Sequence, residues 1–211
     1  MKPEQITFPC GELKLEGLFY SVEAKEPVPA VVVCHPHPLY GGSMHNNVTN
    51  AIAEALVKLG IAALLFNFRG VGGSQGSHGG GIAEQEDVRA ALDCLGAAKG
   101  VDAGRLGLAG YSFGAGVAFP VGCRDARVGA MALVSPYFES TPLSLLKGCR
   151  KPKLILSGSR DNTVPAQDVE AYGREAAEPK KCEIIKGPDH FWGGYEQPMA
   201  EKVAGFFKDN L

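Results

Sequence analysis

The sequence predicts a single α/β domain, residues 1–211, in which a mostly parallel sheet of about eight strands carries helices on both faces. Short, continuous apolar runs recur along the chain, as is typical of strands buried on both faces of a parallel sheet. Segments with apolar residues at helical spacing separate these runs. A chain of 211 residues, 45% hydrophobic and 21% charged, suits one globular domain and is far from the composition of disorder.

The strands are predicted first from alternation and then from continuous apolar runs. Gln5–Pro9 and Leu13–Tyr20 alternate on either side of a glycine, which predicts a hairpin. Five apolar runs and a final weaker one are then predicted as strands: Ala30–Cys34, Ala62–Phe68, Leu106–Tyr111, Ala130–Ser135, Leu154–Ser157 and Cys182–Ile185.

Helices are predicted between these strands, so that parallel strands are joined by right-handed crossovers. A helix that starts near Gly114 is expected to end early at Pro120, because proline removes a hydrogen-bond donor. Pro198 suits the start of the last helix. The apolar positions at helical spacing are Val48, Ile52, Ala55, Leu56 and Leu59; Val88, Ala91, Leu92 and Leu95; Val169, Tyr172 and Ala176; and Met199, Val203, Phe206 and Phe207.

Charge and composition exclude several classes of partner. The net charge of −2 and the scattered basic residues argue against nucleic-acid binding. Met1–Gly11 contains no apolar signal-peptide core, and no apolar run approaches the roughly 18 residues of a membrane span. The six cysteines are widely spaced with no C-x-x-C pair, which predicts reduced thiols in a cytoplasmic protein.

The stretch GYSFG places Ser112 between Gly110 and Gly114 in the pattern G-x-S-x-G. A glycine-rich turn would explain the glycines but needs no serine. A nucleophile elbow explains all three residues, because an apolar strand enters the motif, a helix leaves it, and the two backbones nearly touch there. We therefore interpret Ser112 as a candidate nucleophile.

A serine hydroxyl needs a base, and the base needs an orienting acid. On strand–elbow–helix folds the chain order is serine, acid, histidine, and His190 is the only histidine after Ser112. Asp161, in GSRDNTVP, follows a predicted strand and is the favoured acid. Glu139 after the preceding strand is the alternative, whereas Asp189 adjoins His190 too closely to orient its ring.

Two main-chain amides are expected to stabilise the oxyanion. One belongs to Phe113, directly after the serine. The second must come from CHPHPLYGG, where the two prolines offer no N–H. His35, His37 and Leu39 remain, and we favour the amide of His37. The ring of His35 is expected to hydrogen-bond the loop backbone.

Six residues beside the predicted catalytic loops could line an acyl pocket: Leu39, Tyr40, Phe113, Phe138, Phe191 and Trp192. Of these, Leu39, Tyr40, Phe138 and Trp192 are the favoured candidates. Apolar side chains are typical of such pockets, but each of these could equally lie in the core beneath the loops.

Neither a cofactor nor a metal is expected. The stretch RGVGGSQG fails the dinucleotide fingerprint because its third glycine position falls on Gln75. We interpret it as a tight turn in which Arg69 anchors the loop. The histidines near residue 40 have no carboxylate or cysteine at ligand spacing, which argues against a metal site.

Five motifs in order, CHPHPLYGGSMHNN, LLFNFRGVGGSQG, GYSFG, GSRDNTVP and GPDHFWGG, resemble the α/β-hydrolase superfamily, and most of all small, lid-poor bacterial hydrolases related to the dienelactone hydrolase branch. The resemblance spans about Ile6 to Phe207 and implies a triad of Ser112, Asp161 and His190. Dienelactone hydrolases use a cysteine nucleophile, so their substrate is not carried over. Only about 25 residues separate Ser135 from Asp161, too few for a large lid.

The sequence thus predicts a serine hydrolase that cleaves carboxylic esters of small or accessible acyl groups through an acyl-enzyme. Its expected partner is a small-molecule ester, without nucleic acid or membrane, and the oligomeric state is left open. Two alternatives remain. The same triad could cleave thioesters or amides, including peptides, or the fold could bind a small ligand without catalysis.

Overall fold

The computed structural model describes residues 3–138 and 141–211, so Glu139, the alternative acid, lies outside the described residues. The strands are β1 Glu4–Cys10, β2 Leu13–Tyr20, β3 Val28–Cys34, β4 Ala62–Phe66, β5 Val101–Tyr111, β6 Val128–Val134, β7 Lys153–Gly158 and β8 Lys180–Ile185. The helices are α1 Asn47–Lys58, α2 Glu84–Gly96, α3 Phe113–Arg124, α4 Leu143–Gly148, α5 Ala166–Glu175 and α6 Glu196–Asn210.

All of these strands join one eight-stranded sheet in the order β1-β2-β4-β3-β5-β6-β7-β8. The hairpin strand β2 pairs antiparallel with both β1 and β4, and the remaining pairs are parallel. The mostly parallel sheet of eight strands predicted from the sequence is therefore confirmed. The carboxyl ends of β3, β5, β7 and β8 meet at one edge, where the candidate site lies.

The sheet separates two hydrophobic cores, so helices cover both faces as predicted. Successive residues of β3 show why, because their side chains alternate between faces: Val31 and Val33 belong to one core, and Val32 and Cys34 to the other. Helices α1 and α6 pack together on the first face. Helices α2, α3 and α5 cover the second face.

Two helices differ from the sequence prediction. Helix α3 does not end at Pro120 but continues to Arg124. Phe119, Pro120 and Val121 are all buried, and this packing outweighs the hydrogen bond that proline cannot donate. Helix α4 carries no predicted pattern, because it has six residues and buries only Leu146.

In the described part of the connection between β6 and β7, α4 is the only helix, in agreement with the expected absence of a large lid. Among residues 3–138 and 141–211, no helix combines the length and apolar character needed to cross a bilayer.

Candidate active site

Ser112 lies on a sharp turn between β5 and α3. Its backbone has φ 55° and ψ −118°, a conformation that costs a non-glycine residue about 1–3 kcal/mol. A Cβ atom added to Gly110 would lie 2.6 Å from the Cα of Ala115, and one added to Gly114 would lie 2.4 Å from the carbonyl oxygen of His35. Both glycines are thus required by close backbone contact, as the elbow interpretation predicts.

The structure brings Ser112, His190 and Asp161 into one hydrogen-bonded chain. Ser112 Oγ lies 3.0 Å from His190 Nε2, and His190 Nδ1 lies 2.8 Å from Asp161 Oδ2 and 3.0 Å from Oδ1. The three residues follow β5, β8 and β7 respectively, so parallel strand ends deliver them to one edge. With its Nδ1–H donated to Asp161, the imidazole presents the Nε2 lone pair to the serine hydroxyl.

Asp161 is buried and is held as a carboxylate. Burial alone would raise its pKa, but hydrogen bonds from His190, from the amide of Val164 and from the hydroxyl of Ser135 outweigh burial, and the net pKa lies below its ordinary value. Asp161 Oδ1 also accepts the amides of Thr163 at 3.0 Å and Val164 at 2.8 Å. The carboxylate is therefore fixed by its own loop before it orients the imidazole.

Tyr111 also holds the loop that carries the histidine, which the sequence reasoning missed. Its hydroxyl donates a 2.6 Å hydrogen bond to the main-chain carbonyl of His190. Burial raises the pKa of Tyr111, so the phenol remains a donor at neutral pH. The only sequence signal was its position directly before Ser112.

The two predicted oxyanion donors lie side by side. The rings of His37 and Phe113 contact each other at an interplanar angle of 51°, with centroids 4.7 Å apart. Neither residue's amide has an acceptor in the part of the chain that the structure describes. The competing amide of Leu39 donates to His37 Nδ1 at 3.2 Å. The structure thus leaves the amides of His37 and Phe113 free to bind a ligand oxygen.

The ring of His35 connects two loops of the site, in agreement with its predicted backbone hydrogen bonding. Its Nε2 accepts the amide of Phe68 at 3.0 Å, so its Nδ1–H donates to the carbonyl of Pro36 at 2.6 Å. Burial lowers the pKa of His35 to about 4. The ring is therefore a neutral cross-link between the segments after β3 and β4.

A cavity of about 670 Å³ opens at Ser112. Of the four predicted pocket residues, only Tyr40 lines it, with a side chain that is 87% exposed. Leu39 is exposed beside the cavity but does not line it. The described lining consists of Pro36, His37, Tyr40, Gly41, Gly42, Asn46, Tyr111, Ser112, Phe113, Tyr137, Thr163, His190 and Phe191.

Phe138 and Trp192 were wrongly predicted to line the pocket, since both are buried in the core. Phe138 packs edge-on against Phe119 and Tyr172, with ring centroids 5.3 and 5.2 Å away. Trp192 belongs to the core beneath α1 and α6, and its indole N–H donates to Ser135 Oγ at 3.1 Å. Their neighbours Tyr137 and Phe191 line the cavity instead.

The glycine-rich segment after β4 is anchored by carboxylates at the start of α2. The Arg69 guanidinium donates through both Nε and Nη2 to Asp87, with a shortest distance of 2.6 Å, which confirms Arg69 as the loop anchor. The buried carboxylate of Glu84 accepts the amides of Gly79 at 2.7 Å and Gly81 at 2.8 Å. The segment is thereby fixed beside the cavity.

Comparison with known proteins reveals similarity over nearly the whole chain. A family model described as serine aminopeptidase, S33, matches residues 25–151. An uncharacterised protein of Rickettsia prowazekii is 35% identical over 196 residues, which cover 89% of this chain and 82% of the relative.

Solved structures are also similar to this chain over nearly its whole length. A Coxiella burnetii protein described as an α/β serine hydrolase homologue is 33% identical with a TM-score of 0.87, and the match covers 97% of each chain. A Xanthomonas campestris protein described as an α/β serine hydrolase without a lid is 28% identical with a TM-score of 0.83, and the match covers 98% of this chain and 94% of that one.

Proposed function

This chain belongs to the hydrolase family described as serine aminopeptidase, S33, within the α/β-hydrolase superfamily, and we propose that it is a serine esterase that cleaves carboxylic esters of small or accessible acyl groups. The observation that carries the proposal is the chain of hydrogen bonds from Ser112 through His190 to Asp161. A strained serine, an imidazole nitrogen within hydrogen-bond distance of it and a fixed carboxylate are the parts that nucleophilic acyl transfer requires.

Acylation begins with the hydroxyl of Ser112. His190 Nε2, 3.0 Å from Oγ, takes the proton as Oγ forms a bond to the ester carbonyl carbon. The carbonyl oxygen becomes an oxyanion, which the amides of His37 and Phe113 stabilise. The imidazolium that forms is stabilised by the carboxylate of Asp161, which stays ionised.

Collapse of the tetrahedral intermediate breaks the bond to the leaving alkoxide, and His190 returns the proton to that oxygen. The acyl group is left on Ser112 Oγ. A water molecule then gives its proton to His190 Nε2 and attacks the acyl carbon. The second tetrahedral intermediate collapses, the bond between the acyl carbon and Ser112 Oγ breaks, and His190 returns the proton to Oγ. The carboxylic acid is released and the serine hydroxyl is restored.

The preference for small or accessible acyl groups rests on the shape of the site. Only a short connection with helix α4 stands where a large lid would be inserted, and Tyr40 and Phe191 are exposed at the cavity mouth. Such an open site admits a protruding acyl group but does not enclose a long lipid.

Amide cleavage is a second candidate, because the family is described as serine aminopeptidase. An aminopeptidase must bind a free α-ammonium group, for which a carboxylate is the natural partner. No aspartate or glutamate is found among the described residues that line the cavity at Ser112. This argues for a neutral ester over an amino-terminal peptide.

The test is hydrolysis of 4-nitrophenyl acetate and butyrate beside the matching thioesters and an aminoacyl nitroanilide. Ser112→Ala should lower kcat for the preferred ester by about 10⁴-fold or more. The exposed Ser21→Ala serves as the matched control. A fluorophosphonate should label the wild-type protein and Ser21→Ala but not Ser112→Ala. Ester hydrolysis that survives in Ser112→Ala would refute the proposal.

A further inference from the structure

A second cavity, of about 420 Å³, runs along one face of α3. The cavity is lined at helix positions i, i+3, i+4, i+7 and i+11 by Phe113, Gly116, Val117, Pro120 and Arg124, and this spacing places them in one stripe of the helix. The opposite wall comes from residues around the start of α2 and before α4, namely His78, Gly80, Gly81, Ile82, Gln85, Thr141 and Pro142. We call this cavity the α3 groove.

The α3 groove adjoins the catalytic cavity, because His37, Phe113 and Tyr137 line both. Among the described lining residues, His190 faces only the catalytic cavity. The leaving oxygen of an ester must lie toward His190, which protonates it. The acyl group therefore lies on the other side of the reacting carbon, toward the oxyanion donors and the α3 groove.

The wall of the groove is fixed before any ligand arrives. Glu84 is fully buried and accepts the amides of Gly79 and Gly81, which hold the segment that borders the groove. Gly81 has φ +85°, and a Cβ atom added there would lie 3.4 Å from the ring of Phe113. The ring of His78 in the same segment packs against the ring of Phe113, with centroids 5.6 Å apart. The segment thus contacts the predicted oxyanion-donor residue, and little ordering is needed on binding.

The far end of the groove carries a positive charge. Arg124 is exposed, and no ion pair involves it among the described residues. No aspartate or glutamate is among the described residues that line the groove. From Phe113 to Arg124 the helix rises about 16 Å. An extended acyl chain of about ten carbons covers about 11 Å of this distance, and the long side chain of Arg124, which a helix directs toward its N-terminus, reaches back over the rest. Ile82, Val117, Pro120 and Pro142 offer apolar contact along that path.

We propose that the α3 groove is an acyl subsite that selects extended acyl chains with a carboxylate at the far end, bound by Arg124. The substrate class is thus the half-ester of a medium-length dicarboxylic acid. This inference rests on the proposed esterase function and names the acyl group that the function would use.

The experiment compares two esters that differ only in terminal charge: the mono-4-nitrophenyl ester of decanedioic acid, and the same ester with its other carboxyl capped by methyl. Wild-type kcat/KM should be roughly threefold to fivefold higher for the anionic ester at low salt. Raising the salt to about 1 M should remove the difference. Arg124→Gln should abolish the preference, and Arg124→Lys should retain most of it.

Arg150→Gln is the matched control, since Arg150 is exposed and lines neither cavity. It should keep the preference. Ile82→Glu places a negative charge on an exposed residue of the groove and should reverse the preference.

Arg124 also lies in the last turn of α3, where a cation stabilises the helix dipole. A helix-stabilising role alone would lower the stability of Arg124→Gln and leave the preference intact, which would overturn the proposal.

Binding to Ser112→Ala separates this inference from the proposed function, because that variant needs no turnover. Monomethyl decanedioate should bind Ser112→Ala more tightly than its dimethyl ester does in calorimetry, and adding Arg124→Gln should remove the difference. Equal binding of both compounds would refute the proposed acyl subsite even if the wild-type protein hydrolyses nitrophenyl acetate. Loss of acetate hydrolysis with selective binding retained would instead refute the esterase and leave the groove as a carboxylate-binding site.

Discussion

The hydroxyl of Tyr111 donates a 2.6 Å hydrogen bond to the main-chain carbonyl of His190, so the residue before the serine fixes the loop of the histidine. The two residues are 79 positions apart in the chain, and their rings lie 5.4 Å apart between centroids. The elbow and the histidine loop are thereby joined at a second point, independent of the contact between Ser112 and His190.

Tyr111→Phe should lower kcat about tenfold and leave KM nearly unchanged. The substitution removes one hydrogen bond and leaves the carbonyl of His190 without its donor, which costs about 1–2 kcal/mol. Because Tyr111 acts by positioning His190, the loss should appear in the chemical step. Steady-state kinetics on 4-nitrophenyl butyrate would measure it.

Tyr20→Phe is the matched control, since the hydroxyl of Tyr20 donates to Asn50 Oδ1 at 3.3 Å, away from the site. It should keep wild-type kcat. If Tyr111→Phe loses thermal stability but keeps kcat, the bond is structural only and the positioning role is wrong.

Asp161→Asn should lower kcat about 10³–10⁴-fold with little change in KM. An amide can donate to Nδ1 and so favours the wrong imidazole tautomer, and it cannot stabilise an imidazolium. Asp189→Asn is the control, because Asp189 Oδ1 accepts only the amide of Phe191, at 3.0 Å, among the described groups. Kinetics of the two single variants would decide the matter, and comparable losses in both would contradict the assignment of Asp161 as the orienting acid.

The strands were predictable because burial on both faces leaves a strong sequence pattern. Apolar runs that alternate with helical patterns along the chain are typical of parallel strands, as in Ala30–Cys34 and Leu106–Tyr111. The observed strands contain both runs. The early end of α3 predicted at Pro120 was wrong, because the local effect of a proline does not include the packing around it. That packing is present only in the folded chain. Helix α4 left no pattern because six residues make fewer than two helical turns.

The three residues of the candidate triad were predictable because the chemistry requires particular residue types. The pocket residues were missed because their role depends only on which way each side chain points. The triad residues must follow the chain order serine, acid, histidine. The motifs GYSFG, GSRDNTVP and GPDHFWGG therefore sufficed to name three residues that the structure brings together. For the pocket, the sequence pointed to the right segments but the wrong members of two neighbouring pairs. Tyr137 is 42% exposed and Phe138 is buried, and Phe191 is 69% exposed and Trp192 is buried.

Which of two adjacent aromatic residues faces solvent depends on backbone angles that no local pattern encodes. Trp192 has φ 59°, in the left-handed region, which turns its side chain into the core. The cytoplasmic location and the catalytic roles of the site residues stay predictions.

Gly114→Ala should destabilise the protein by about 1–3 kcal/mol and lower kcat about 100-fold. The new Cβ atom would lie 2.4 Å from the carbonyl oxygen of His35 and 2.5 Å from that of Cys34, so the backbone must move. Any such movement displaces Ser112 from His190 and Phe113 from the oxyanion. Urea unfolding and nitrophenyl ester kinetics would measure the two effects.

Gly205→Ala provides the opposite case. Gly205 lies within α6, and nothing lies within 4 Å of an added Cβ atom. This variant should gain about 0.5–1 kcal/mol from the better helix propensity of alanine, with kcat unchanged. If Gly114→Ala behaved like Gly205→Ala, the close packing at the elbow would be disproved.

The free energy of unfolding should fall as the pH is lowered from about 6.5 to about 4, because of His35. Burial lowers the pKa of this residue from 6.5 to about 4, so in that range the unfolded chain binds a proton that the folded chain excludes. A depression of this size corresponds to about 3 kcal/mol, lost progressively on acidification and fully present above pH 6.5. Urea unfolding at pH 7.5, 6.0 and 4.5 would measure it.

His35→Gln should be less stable than wild type at pH 7.5, since it disturbs the bonds to Phe68 and Pro36, but its stability should vary less with pH. The exposed His45→Gln should retain the wild-type dependence. Asp161, with a pKa held below its ordinary 3.8, loses its contribution only as the pH falls further and does not compete in this range. A His35→Gln variant with the full wild-type dependence would mean that another buried group excludes the proton.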